Sequence, residues 1–298
     1  MKEPLKNYLS VLVILVFASC IAIAGGQGGQ NFKSVPLLVI CMVCSFLIHW
    51  FMFIPSFIAK SEKFYDITGT LAYLSLLTIA SALTVSLSGI PLSNRSVLLI
   101  VLVSIWSLRL GLFLLYRIMQ EGEDRRFRKI KVSFPRFFLT WTLSGLWVFI
   151  TSANALTAII NNVPLKNDPM SYFGILLWVF GFFFESIADE QKRRFRKKPE
   201  NVNEFISHGL WRYSRHPNYF GEIVLWTGIA LIAMPTLSGW QYSTLISPLF
   251  LFLLLTRVSG INLLEAFSDK IWDHREEYKL YKQTTPVIVP FVNRSAKN

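Results

Sequence analysis

Between two strongly apolar stretches lies the segment His208 to Glu222, HGLWRYSRHPNYFGE, which concentrates groups able to bind or do chemistry. Arg212, Arg215 and His216 bring cationic or protonatable nitrogens. Asn218 brings a donor and an acceptor, Glu222 a carboxylate, and Tyr213 and Tyr219 are interleaved. A basic loop that only touches lipid headgroups is satisfied by Arg and Lys alone. Asn218 and Glu222 instead follow the basic residues into the apolar run, where polar groups are costly and by default serve a function. They are four apart, so on a helix both point the same way. An amide beside a carboxylate suits a neutral carboxamide or a ribose, whereas the Arg forks suit phosphate.

Further ionisable residues fall at matching ends of apolar runs. Asp66 opens one run, Arg109 lies two turns inside the end of the next, and Glu185 and Asp189 close a third. Arg257 lies near the end of the last run and is followed by Glu265. At one membrane level these residues can pair, solvate one another and line a polar cavity; each alone against lipid is costly. Glu185, Asp189, Arg193 and Arg196 recur at steps of four, four and three and form one helical stripe. Arg109 and Arg117 are eight apart on one face, as are Arg257 and Glu265.

Salt bridges that merely tie a bundle together are the structural alternative. Against it stands the surplus of Arg117, Arg126, Arg193, Arg196, Arg212 and Arg215 over the acids at that level, because planar guanidinium binds phosphate bidentately. The segment Glu121-Gly-Glu-Asp-Arg-Arg126 adds Asp124 and Arg126 to the same face. No G-x-G-x-x-G, P-loop or G-x-S-x-G occurs, so neither a soluble nucleotide fold nor a serine hydrolase is indicated. His49, His208, His216 and His274 lack metal-ligand spacing, and no metal site is expected.

The elements that position these residues are membrane helices. The 298-residue chain is 53% hydrophobic and 16% charged, values of a polytopic membrane protein. Apolar runs at about 8–24, 35–58, 64–88, 96–118, 134–160, 171–190, 219–235 and 242–263 each approach the ~20 residues that cross a bilayer. The run at 219–235 is short and ends at Pro235, so the expectation is seven to eight transmembrane helices. The fold class is all-α, a polytopic bundle forming a single domain over 1–298 with no Rossmann domain. The first span reads as a retained anchor. Basic residues alternate between loops: Lys2 and Lys6, Lys60 and Lys63, Arg125 to Lys131, Lys192 to Lys198, and the tail after span eight. That pattern places both termini in the cytoplasm of a multi-pass protein, in a bacterial inner membrane or the endoplasmic reticulum. The net charge of +12 follows from it and calls for no nucleic-acid partner. Cys20, Cys41 and Cys44 all lie in apolar runs and read as structural.

From about Gly181 to Val292 the chain resembles the steroid 5-alpha-reductase family, in particular its branch long classed as a domain of unknown function. The resemblance rests on the Asp189–Arg196 stripe, on HGLWRYSRHPNYFGEIVLWTGIAL, on Arg257-Val-Ser-Gly-Ile followed by Glu265, and on the closing Tyr278/Tyr281/Pro290 segment. It implies that Asn218, Glu222, Asp189, Arg193 and Arg196 contact NADPH, and that Asp124 and Arg126 cover the front of that site. Arg-His-Pro-x-Tyr alone is less specific, since it recurs in isoprenylcysteine and phospholipid methyltransferases that bind S-adenosylmethionine. The Arg surplus favours a phosphate-bearing cofactor over that one. Where animal reductases carry a Gln-Glu pair before Pro-Ser-Phe, this chain has Met52, Phe53 and Ile54 before Pro55-Ser56-Phe57, which sets the steroid substrate apart from the reaction.

The expected cofactor set is thus Arg109, Arg117, Asp124, Arg126, Glu185, Asp189, Arg193, Arg196, Tyr213, Arg215, His216, Asn218, Glu222, Arg257 and Glu265. The expected chemistry is hydride addition to an enone in an apolar small molecule that enters from the lipid bilayer, by a monomeric enzyme. Proton-donor nominees are Asp66, Tyr65 and Tyr73, with Asp66 first by depth; a helix N-cap is its structural alternative. A methyltransferase of the same fold and a non-catalytic sterol- or lipid-binding protein remain the competing functions.

Overall fold

The computed structural model describes residues 3–258 and 260–292, which leaves Lys2 and Ser259 outside the described residues. Among the described residues, eight helical stretches are long and apolar enough to cross a membrane, as lipid demands of a backbone that must satisfy its own hydrogen bonds. Among the described residues the only sheet is a two-stranded hairpin, Asn31–Phe32 with Val35–Pro36. The stretch expected to be short spans Pro217–Thr236, 20 residues, so the count is eight rather than seven. The chain folds as two compact units, Met1–Ser171 with Ile229–Ser247, and Tyr172–Gly228 with Pro248–Asn298.

The first unit holds α1 (Glu3–Gly25), α2 (Leu37–Ile58), α3 (Tyr65–Ser88), α4 (Asn94–Glu121) and α5 (Phe134–Asn161). Helix α5 is its axis: 89% of its apolar window is buried, against 28% for α1. Small residues make this possible. Phe46 of α2 packs against Gly145, where an added Cβ would lie 3.0 Å from its ring, and Ala153, Ala155 and Ala158 are fully buried or nearly so. Close approach of this kind is how helices associate in lipid. The hydroxyls of Thr142, Thr151 and Ser152 donate to carbonyls four residues back, which covers polar groups within the helix itself. Near the unit's other end Arg95 is 3% exposed and donates to Asp168 at 3.1 Å and to Ile232 O at 2.7 Å. Burial works against the Asp168 charge, but bonds from Ser171 and Arg95 outweigh it and hold the carboxyl below its usual range.

In the second unit, α6 (Pro169–Lys197) and α7 (Pro217–Ala233) press together through glycines. A Cβ on Gly221 would lie 2.6 Å from Glu185 N and 2.7 Å from Gly181 O. Backbone thus meets backbone, and the turn carrying Glu222 is set beside Glu185. Because neither neighbour is a flexible side chain, Gly221→Ala is expected to cost about 1–3 kcal/mol, the range of overpacking, read as a lower thermal midpoint; an unchanged midpoint would contradict this packing. The last span is not one helix as its composition suggests. It runs as a 3-10 stretch over Gly239–Ile246, α8 (Ser247–Leu253), a π turn over Leu254–Val258, and α9 (Ile261–Trp272), followed by α10 (Glu276–Thr284). Gly260 takes up the break: a side chain there would collide with the Leu255 carbonyl.

Candidate active site

In the first unit, α3, α4 and α5 enclose a pocket lined by Tyr65, Asp66, Tyr73, Trp106, Ser144 and Trp147, among others. Its free interior is about 40 Å³, room for a few waters or the edge of one ring. A larger ligand must spread the helices or enter by its reacting end only. The wall is aromatic: Tyr73 meets Trp106 and Trp147 edge-on at 5.4 and 5.7 Å. Two proton-bearing groups face this apolar surround. Tyr73 is 1% exposed and its hydroxyl lies 2.5 Å from Thr151 Oγ1. Because Thr151 donates to Trp147 O at 2.7 Å, the phenol is the donor of that pair. Asp66 stands in the first turn of α3 but does not cap it: the N-cap position is Phe64, with no side-chain cap bond. Its carboxyl is free of that structural duty.

Next to Asp66 the 121–126 segment is fixed by a residue that the sequence pattern does not single out. Glu62, 4% exposed, accepts from Asp124 N and Lys131 Nζ, each at 2.8 Å. Asp124 in turn is gripped by the Arg126 guanidinium through contacts of 2.6 to 3.1 Å. Burial pushes against the Asp124 charge, but the Arg126 bonds and the Arg117 field prevail and keep its carboxyl below the usual range. The same two arginines act electrostatically on Asp66. Asp66 therefore shares one electrostatic cluster with Arg117, Asp124 and Arg126. Arg109, also expected in the site, lies over the Phe113 ring at 5.6 Å.

The second unit buries a set of ionisable groups. Glu185 is 2% exposed, Asp189, His216 and Glu222 each 7%, and Arg215 9%. Arg215 NH1 is 3.0 Å and His216 Nε2 3.3 Å from the same Glu265 oxygen. The strand of chain before α7 is pinned by Arg215 N donating to Pro286 O at 2.9 Å, Ser214 Oγ to Ile288 O at 2.7 Å, and Tyr281 OH to Trp211 O at 2.7 Å. The closing Tyr281–Pro290 segment thus serves as a backing for the Arg215–His216 turn. His216 stacks on Tyr219 with ring centroids 5.5 Å apart. Arg215 Nε is buried and has no hydrogen-bond partner among the described residues, an open donor of the kind an anion fills.

Burial lowers the His216 pKa despite the opposing Glu265 carboxylate. The folded state therefore holds the ring neutral, and the unfolded chain binds its proton more readily. The stability this contributes is complete above about pH 6.5, the unperturbed value, and is lost as pH falls through the lowered one. Thermal midpoints measured between about pH 7.5 and 5 should decline less steeply in His216→Gln than in wild type; identical slopes would contradict it.

The other expected site residues are less buried. Arg193 is held by Glu190 at 2.7 and 2.8 Å, which also takes Arg194 at 2.6 Å. Arg196 and Arg257 are exposed, Asn218 is half-buried, and Tyr213 is exposed and packs on Phe291 at 4.7 Å. More acids meet the local cations than the spacing suggested: Glu190 takes Arg193, Glu123 takes Arg128, and Glu62 takes Lys131. Among the described residues no group of His, Cys, Asp and Glu is arranged to hold a metal ion.

Residues 52–285 match a family model described as a protein of unknown function (DUF1295). The chain is 31% identical over 162 residues to 3-oxo-5-alpha-steroid 4-dehydrogenase 1 of Rattus norvegicus, covering 54% of this chain and 56% of the relative. It is 30% identical over 127 residues to the protein of that name from Bos taurus, covering 42% and 44%. With the one from Homo sapiens it shares 27% over 129 residues, covering 42% and 43%. The chain spans about half the length of the curated relatives it matches. No solved structure matches it.

Proposed function

The chain belongs to the DUF1295 family, and from that premise we propose that it is an integral-membrane reductase that uses NADPH to add hydride to a carbonyl-conjugated C=C bond of an apolar, steroid- or lipid-like substrate. The name of its relatives, 3-oxo-5-alpha-steroid 4-dehydrogenase, describes a bond between carbons beside a ketone. The observation that carries the proposal is the pocket in which Tyr73 and Asp66 stand together under Trp106 and Trp147. Such a wall excludes water and leaves a proton donor to meet negative charge developing on a carbonyl oxygen or its α-carbon, a task of the oxyanion-hole type.

The dinucleotide would be held by the second unit's residues. The unmet Nε of Arg215 suits a phosphate oxygen, and Glu222 with Asn218 suits the carboxamide or ribose, where a phosphate would be repelled by the carboxylate. When bound, NADPH supplies the hydride. Tyr73 holds its proton on the phenol oxygen against Thr151 until the substrate's oxygen or α-carbon takes it, and Glu265 fixes the direction of Arg215 and His216. Asp66, with Arg117, Asp124 and Arg126 acting on it, would form the charged end of the pocket. Alternating basic loops orient the protein with both termini in the cytoplasm. Cysteines placed at Lys129 and Lys197 should both react with an impermeant thiol reagent from that side; reaction from the opposite side would overturn the orientation.

The test of the proposal is protection against heat. NADPH at about a hundred times its Kd should add ~2.7 kcal/mol of stability, and Arg215→Ala should abolish most of that gain. Stabilisation by S-adenosylmethionine and not by NADPH would replace the reductase by a methyltransferase.

A further inference from the structure

Helix α5 carries a line of buried polar side chains that the chemistry above does not use. Thr151, Asn154, Thr157 and Asn161 recur at steps of three, three and four, and so share a face. At one end of this line Thr151 meets Tyr73. At the other, Asn161 Nδ2 donates to Gln241 Oε1 at 2.8 Å and to Thr236 O at 2.9 Å, beside Trp240 and Tyr242, which are 69% and 50% exposed. Ser247 Oγ donates to Thr151 O at 2.8 Å. The 239–247 segment therefore runs along the same face in the opposite direction, with Gln241 at the Asn161 level and Ser247 at the Thr151 level.

Between these ends Thr244 Oγ1 donates to Gln241 O at 2.7 Å, while other polar atoms find no partner among the described residues. Asn154 is completely buried, and among the described residues neither its Oδ1 nor its Nδ2 makes a hydrogen bond. The hydroxyls of Thr157, 2% exposed, and Ser243 are in the same condition. Folded interiors leave very few such groups unmet. An amide with every bonding position open inside a bundle is the kind of polar group that internal water satisfies in folded proteins. From Thr151 to Asn161 the helix rises about 15 Å, half the ~30 Å hydrocarbon thickness. A line of this length is what separates Tyr73 from the far end of α5.

We propose that Asn154, with Thr157 and Ser243, holds a file of internal waters that carries protons from the Asn161 end of α5 through Thr151 to Tyr73. The relay rests on the reduction proposed above, in which Tyr73 gives up its proton. Hydride brings both electrons to the substrate, and the phenol proton completes the second new bond. The phenolate then takes the Thr151 hydroxyl proton, Thr151 takes one from water, and the file takes one from the aqueous phase. Only protons move in this recharging. Thr151 rests with its hydrogen on Trp147 O, and a hydroxyl turns readily to offer it to Tyr73.

Two measurements decide the matter. In a protein stripped of its native cysteines, Asn154→Cys and Ser243→Cys should react with silver ion added in water, read as lost maleimide labelling after denaturation. Leu156→Cys, on the opposite face of α5 and fully buried, should not react. Silence at both test positions, equal to Leu156→Cys, would overturn the hydrated file; Ser243→Cys changes only one atom and so covers the case that Asn154→Cys misfolds. In the second measurement, Asn154→Leu is given NADPH and a 3-oxo-4-ene steroid. The first turnover should keep its rate, and later ones should slow on the order of a hundredfold, the low end of what a positioned proton donor contributes. Unchanged steady-state turnover would overturn the relay. A wild-type protein that reduces no apolar enone offered would remove the reduction and the relay's task, while silver labelling alone still decides the file.

Discussion

Tyr73→Phe is expected to slow NADPH-dependent reduction of a 3-oxo-4-ene steroid by about 10²–10⁴-fold, the span of general-acid catalysis. The effect is large because Tyr73 lines an aromatic pocket, is 1% exposed, and holds its proton against Thr151. The fold should hardly notice. Thr151 keeps its bond to Trp147 O, and the lost hydrogen bond is worth only about 1 kcal/mol. NADPH affinity should stay within about threefold, since less than 1 kcal/mol of binding is at stake. Near-wild-type turnover in Tyr73→Phe, with loss in Asp66→Asn, would move the proton to the carboxyl that shares the pocket.

Glu222→Gln is expected to cut hydride transfer by about a hundredfold while the protein still folds and still binds the adenosine end of NADPH. Glu222 is 7% exposed, and the Gly221 backbone beside it is locked against Glu185. The backbone that carries its carboxylate is therefore held in one place. Gln keeps the shape but exchanges an acceptor for a donor, and a small misplacement of reacting atoms costs about that factor. Single-turnover kinetics beside cofactor affinity separate the two effects; normal hydride transfer would reduce Glu222 to a packing residue.

The eight spans were legible because lipid imposes one rule on all of them, a continuous apolar run. The family resemblance was equally legible, since Arg215, His216, Asn218 and Glu222 sit in a motif whose polar groups stand out where the chain enters an apolar helix. What the sequence hid is tertiary in origin. Glu62 reads as one more loop charge between Ser61 and Lys63, and only the fold buries it against Asp124 and Lys131. Nothing in the pattern says that Glu190, off the Glu185–Arg196 stripe, will draw Arg193 and Arg194 to itself. The break of the last span into 3-10, α and π pieces leaves no mark on hydropathy, because each piece is as apolar as a helix. Asp66 illustrates the reverse case. Its type and position fit a cap, yet the chain turns one residue pair earlier, at Phe64, and the carboxyl is left to the pocket.

The most direct measurement is the fate of the hydride. NADPH carrying deuterium at the transferable nicotinamide position is incubated with the purified protein in detergent or vesicles and a 3-oxo-4-ene steroid, and the product is examined by mass spectrometry. Membrane-bound reduction predicts a saturated ketone with deuterium on the β-carbon and a solvent proton on the α-carbon. Deuterium that never leaves the nucleotide with any enone offered would contradict it.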